Sequence, residues 1–174
     1  MQKEFITINS KQTQKLGELL ARELRGGEII CLDGELGAGK TTFTQGLLKG
    51  LKIKGPYTSP TFLIMKQYHI ACNMKHETKE KKMLHASCCM FHDVYHFDAY
   101  RVEAQDILNL GFEEILSNKK NIIIIEWASR IEKIIPKDSL RINFEWLDPP
   151  CVDERTSSQV EAGENKRKII FNSK

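Results

Sequence analysis

Apolar positions along the chain follow two rhythms, and the switches between them mark out the elements. Residues 4–8 read as a short first strand. Leu16, Leu19, Leu20 and Leu24 then recur at helical spacing. Asn9 or Ser10 is placed to cap that helix, and Gly26-Gly27 to stop it. Ile29, Ile30, Cys31 and Leu32 form an unbroken apolar run, the pattern of a buried strand. Phe43, Leu47, Leu48 and Leu51 return to the helical rhythm, although Gly46 and Gly50 are poor helix formers. Residues 61–68 (TFLIMKQY) and 91–98 (FHDVYHFD) read as strands, and residues 104–116 as one helix. Four consecutive isoleucines, Ile122 to Ile125, predict a strand covered on both faces. Residues 140–147 and 168–172 supply late strands.

The segments between these elements change the picture in two places. Residues 69–90 are polar, lysine-bearing and rich in Cys and His, so they read as an insertion between strands rather than core. Residues 148–167 are turn-rich and predicted to be mobile. The length of 174 residues suits one domain, 1–174. Its 41% hydrophobic and 28% charged residues are an ordinary soluble balance. A formal charge of +3 does not announce a nucleic-acid binder. The N-terminal MQKEFITINS lacks a signal-length apolar run, and no stretch reaches the roughly 20 apolar residues of a membrane span. Five cysteines without a secretory context point to reduced thiols and a cytoplasmic setting.

The chemistry concentrates in GELGAGKT, residues 34–41, which fits G-x-x-x-x-G-K-[ST]. A predicted strand precedes it and a predicted helix follows, the context a phosphate-binding P-loop requires. Glycines let the backbone take positive φ and approach phosphate oxygens, and amides at the helix start form an anion nest. Lys40 would bring a charge to the β- and γ-phosphates, and the Thr41 hydroxyl is a hard oxygen suited to Mg²⁺. The predicted fold is therefore α/β and P-loop NTPase-like. It has a central, mostly parallel sheet flanked by helices, with late antiparallel strands.

Cleaving a triphosphate also calls for carboxylates near the metal and the attacking group. In an open α/β sheet such groups sit at the carboxyl ends of strands. Glu126 follows the isoleucine run, and Asp98 follows VYHF. Glu126 is assigned to the metal side, directly or through water; Asp98 would position or deprotonate a water, or support the metal. Trp127 adjoins Glu126 and would lie at the site's edge or in the core. Thr61, in SPTF, is either a sensor of the γ-phosphate or part of a strand-start turn. Arg101 would meet a phosphate or pair with a surface acid, and Arg130 lies near the right strand with no motif to fix it. All five histidines lie between residues 69 and 96. A zinc set of Cys72, His76, His85 and Cys88 is conceivable, but without paired C-x-x-C spacing an incidental polar insertion is the favoured reading.

Other P-loop classes fit less well. The nearest match to a guanine-reading N-K-x-D is Asn118-Lys119-Lys120-Asn121, which lacks the Asp and precedes its strand. No LSGGQ-like stretch is present, and no arginine-rich lid follows the P-loop helix. GELGAGKTTFTQGLL, SPTF, HFDAYR, LGFEEIL and IIIIEWA, in this order, resemble the TsaE (YjeE) family. The resemblance runs from the first strand to about Leu147. It is interrupted at residues 69–90, where the family joins the strands by a much shorter turn, and it is weak after Asp148.

The resemblance implies a bacterial cytoplasmic ATPase that supports threonylcarbamoyladenosine formation in tRNA, beside the anticodon, with TsaD and TsaB. It implies ATP and Mg²⁺ as cofactors. Gly37, Ala38, Gly39, Lys40, Thr41 and Thr42 would contact phosphates. Thr41 and Glu126 match the Mg²⁺ positions, Asp98 the acid of HFDAYR, and Trp127 the Trp beside the family's Glu. A small-molecule kinase and a non-hydrolysing nucleotide sensor are the alternatives.

Overall fold

The computed structural model describes residues 2–70, 93–147 and 166–172. Strand β1 is Gln2–Thr7, followed by α1, Ser10–Ala21. Asn9 caps α1, its side chain accepting from the Gln12 amide at 2.9 Å. Strand β2, Ile29–Gly34, leads through the glycine-rich loop into α2, Lys40–Gly50. Strands β3, Met65–His69, and β4, Asp93–Asp98, precede the short helices α3, Ala104–Asn109, and α4, Phe112–Ser117. Strand β5, Ile122–Glu126, runs into a 3₁₀ segment, Ala128–Ile134. Strands β6, Leu140–Trp146, and β7, Arg167–Asn172, complete a seven-stranded sheet of order β1-β7-β6-β2-β5-β4-β3.

The four central strands β6, β2, β5 and β4 are mutually parallel, and the edges are closed by antiparallel partners. The isoleucine run shows why the centre is buried on both sides. Ile122 and Ile124 face a cluster with Leu32, Phe43, Leu47 and Phe144, under α1 and α2. Ile123 and Ile125 face Phe97, Ile107, Phe112 and Ile131, under α3, α4 and the 3₁₀ segment. The strand alternation of side chains divides one apolar run between two cores.

Gly46 and Gly50 have a packing role. A Cβ on Gly46 would lie 2.0 Å from the Gln14 carbonyl oxygen, and one on Gly50 would lie 2.6 Å from the Ala21 Cβ. On α1, a Cβ on Gly17 would lie 2.3 Å from the Phe43 carbonyl oxygen. The two helices thus meet backbone to backbone, which only glycine permits at these crossings.

Three expectations need correction. The strand expected over residues 61–68 starts only at Met65. Pro60 turns the chain first, its carbonyl accepting from the Leu63 and Ile64 amides at 2.7 Å each, and Ile64 takes φ 65°. The helix expected over residues 104–116 is broken in two by Gly111, at φ 79°. Helix α1 ends at Ala21, five residues short of Gly26. The Cys72, His76, His85 and Cys88 set, residues 71–90 of the insertion expected over 69–90 and residues 148–165 of the segment expected to be mobile over 148–167 lie outside the described residues; His69 instead ends β3 and Arg167 opens β7. No helix among the described residues is long and apolar enough to cross a membrane.

Candidate functional site

Parallel strands deliver their carboxyl ends to one edge of the sheet, and register sets what meets there. Glu126 stands opposite Leu32 on β2 and opposite Asp98 on β4. The P-loop leaves β2 at the same edge, so loop and acids border one cleft of about 330 Å³. Its lining includes Gly37, Gly39, Lys40, Thr41, Thr42, Thr61, Asp98, Glu126 and Trp127. Ala38 is fully buried behind the loop. Nearly all the residues singled out from the sequence therefore converge on one place, although they come from four separate stretches.

Gly37 and Gly39 have φ of 76° and 105°, the left-handed conformations that curl the loop around a concavity. Lys40 opens α2 and is 4% exposed. Its ammonium donates to the Gly34 and Glu35 carbonyls at 2.7 and 2.8 Å and stands 3.7 Å from the Trp127 ring centroid. Burial holds its pKa below the usual lysine value, while Glu126, Asp33 and Asp98 act in the opposite direction. Trp127 lies half-buried at the lip, with φ 60°, its ring 4.8 Å from that of Tyr100. It is neither pure core nor a free edge: it forms the wall against which Lys40 rests.

Thr41 donates its hydroxyl hydrogen to Glu126 Oε2 at 2.8 Å. This bond joins the residue after the P-loop lysine to the end of β5, 85 positions later. A hydroxyl and a carboxylate set side by side are hard oxygen donors, the set that suits Mg²⁺ and not a soft metal. The positive-φ loop with its buried lysine likewise fits phosphate oxygens. The residues present therefore suit a magnesium-bound nucleotide.

Asp98, 4% exposed, has both oxygens engaged. Oδ2 accepts from the Thr61 hydroxyl at 2.5 Å and from Ser59 Oγ at 3.1 Å, while Oδ1 accepts from the Tyr100 amide at 3.0 Å. Thr61 thus belongs both to the turn and to the site: the Pro60 turn presents its hydroxyl to Asp98. Arg101 lines the cleft, its guanidinium 5.7 Å from the Phe62 ring centroid and 5.9 Å from that of Tyr100. Arg130 is exposed and is not among the cleft residues.

Two participants were missed from sequence: Ser59, and the buried His96, whose Nε2 lies 2.8 Å from Glu126 Oε1. Alternation along β4 was the available signal for His96, because residues two apart on a strand share a face. His96 and Asp98 therefore point the same way.

A family model described as "Threonylcarbamoyl adenosine biosynthesis protein TsaE" matches residues 7–149. The chain is 30% identical over 170 residues to the tRNA threonylcarbamoyladenosine biosynthesis protein TsaE of Bacillus subtilis, covering 98% of this chain and 85% of that one. It is 38% identical over 134 residues to the protein of the same name from Nostoc, covering 75% and 70%. Among solved structures it resembles Bacillus subtilis YdiB, with a TM-score of 0.67 at 26% identity, over 99% of this chain and 86% of that one.

Proposed function

The chain belongs to the TsaE family, and on that premise we propose that it binds and hydrolyses Mg·ATP as a partner-dependent factor in forming threonylcarbamoyladenosine in tRNA. The observation that carries the reading is the Thr41–Glu126 hydrogen bond at 2.8 Å, with Asp98 paired beside Glu126 in the sheet. One hydroxyl and two carboxylates at the mouth of a P-loop form the donor set of a triphosphate-cleaving site.

In this reading the amides of Gly37 to Thr42 bind the phosphates, and Lys40 turns its ammonium from the loop carbonyls to them. Thr41 and Glu126 hold the magnesium ion, which neutralises charge on the phosphate oxygens when bound. Asp98 orients the attacking water or takes its proton, exchanging a hydroxyl partner for that water. Its present hydroxyl partners are Thr61 and Ser59, so the contents of the cleft bear on the Pro60 turn. Trp127 walls the site and shields Lys40 from solvent.

The names of the relatives support the pathway, and the family resemblance supports TsaD and TsaB as the partners and the cytoplasm as the place. The partner dependence has a physical basis as well. Cleavage of a γ-phosphate commonly needs an arginine over the developing charge. Arg101 is the only arginine among the described cleft residues, and it rests against aromatic rings. Calorimetric titration tests the binding half: ATP should bind in magnesium and more weakly in chelator. Asp98→Asn and Glu126→Gln should each lower phosphate release by roughly 10²-fold or more while ATP still binds. Parental turnover by both variants would reject the carboxylate roles.

A further inference from the structure

His96 is buried between the strands of the sheet centre, 1% exposed. Its neighbour across β4 and β5 is Ile124, and the preceding residue on its own face is Val94, both fully buried. An apolar side chain would fill such a position without losing hydration. Among the described residues the imidazole instead makes one polar contact, with Glu126 Oε1 at 2.8 Å. Its other nitrogen, Nδ1, is buried with no hydrogen-bond partner among the described residues.

A carboxylate oxygen only accepts, so Nε2 carries the hydrogen and donates it. The remaining oxygen, Oε2, is the one on Thr41 Oγ1. Glu126 is itself 2% exposed and ends a strand fixed on both sides by β2 and β4. Its backbone is therefore set, and the direction of its carboxyl group depends on what holds each oxygen.

The geometry points to His96 as a positioning residue: by donating Nε2–H to Oε1 it fixes the rotation of the Glu126 carboxylate, so that Oε2 faces Thr41 Oγ1, the pair assigned to the divalent cation of the bound nucleotide. The inference rests on the metal assignment made under Proposed function. Hydrogen bonds to a metal-binding carboxylate hold it in its ligating orientation, and their loss typically weakens metal binding 10- to 100-fold. His96 itself touches neither cation nor nucleotide.

The test is calorimetric titration of the full chain with ATP, once in magnesium chloride and once in EDTA, for the parent, His96→Leu, His96→Gln and Glu126→Gln. The gain in affinity on adding magnesium is the readout. His96→Leu fills the space and removes the donor, so the magnesium gain should fall about tenfold or more, with the affinity in EDTA unchanged. His96→Gln restores an N–H donor and should recover most of the gain. Thermal melts establish that each variant is folded; should His96→Leu not fold, His96→Gln and His96→Met carry the same comparison.

A parental gain in His96→Leu would overturn the inference, as would an equal loss with and without magnesium, the mark of a merely structural residue. Failure of His96→Gln to recover the gain would also overturn it, because the donor would not be what matters. A gain kept by Glu126→Gln, or absent from the parent, would instead remove the metal assignment, and the inference would fall with it.

Discussion

At the scale of single residues, the site is held together by bonds among its own members. Lys40 occupies its ammonium with two loop carbonyls and an aromatic face. Lys40→Ala therefore removes a phosphate contact and also two bonds that fold the loop. A hydrogen bond to a charged group is worth roughly 1.5–3 kcal/mol, so ATP affinity should drop about 10- to 100-fold in calorimetry. The fold should be kept, with a lowered melting temperature because the two carbonyl bonds are lost as well.

Cys31 gives a second residue-scale prediction. It is fully buried, and burial pushes its thiol up to about 11. Thiolate is the reactive form. At pH 8 in the native chain a maleimide should leave Cys31 unmodified by peptide mass spectrometry, and denaturant should expose it.

The sequence displayed the P-loop residues through a spacing pattern and the two acids through their places at strand ends. His96 was not legible in the same way. Composition grouped it with four other histidines between residues 69 and 96, whereas the structure separates it from His69. His69 is exposed and pairs with Asp93 at 2.7 Å, while His96 is buried on Glu126. Alternation along β4 puts His96 on the face of Asp98, and the sheet register, which brings β4 beside β5, then sets it near Glu126.

At the scale of elements, the helix pair α1–α2 carries the P-loop, and its glycines decide how closely it packs. Gly46→Ala would force a Cβ to 2.0 Å from the Gln14 carbonyl oxygen, against backbone that cannot swing away. Overpacking of this kind costs roughly 1–3 kcal/mol or more. Gly111→Ala is the contrast: nothing lies within 4 Å, and only the positive φ is strained. It should cost about 1 kcal/mol. Urea unfolding of both variants checks the order, and equal losses would remove the close-packing account.

Helical propensity alone marked Gly46 as a weakness, because the partner helix is invisible in a local window. Two of the three corrections have local causes that side-chain pattern alone does not weigh. Residues 61–64 have strand-forming side chains, but Pro60 bonds the following amides into a turn. Residues 104–116 keep a helical rhythm, but Gly111 turns left-handed between two caps. The strand runs with unbroken isoleucine or alternating patterns were read correctly because both faces of the sheet select them. The pairing His69↔Asp93 brings the ends of β3 and β4 together. Replacing residues 70–92 by a short Asn-Gly turn should therefore leave ATP binding intact by calorimetry. Stoichiometric zinc lost with that segment would restore the metal reading.

At the scale of the whole molecule, three layers converge on one edge. Helices α1 and α2 cover one face of the sheet, α3, α4 and the 3₁₀ segment cover the other, and the cleft opens at the carboxyl ends of β2, β5 and β4. The layers account for the position of the proposed nucleotide cleft. Among the described residues Arg101 is the only arginine lining the cleft, and Leu36 and Phe62, 75% and 88% exposed, stand beside it. Such a site should turn over slowly until partners complete it. The most direct measurement is phosphate release from Mg·ATP by the chain alone and with TsaD and TsaB added together. Release should be slow alone, rise markedly with both partners, and rise less in Trp127→Ala. Fast release by the lone chain, indifferent to both partners, would contradict the partner dependence.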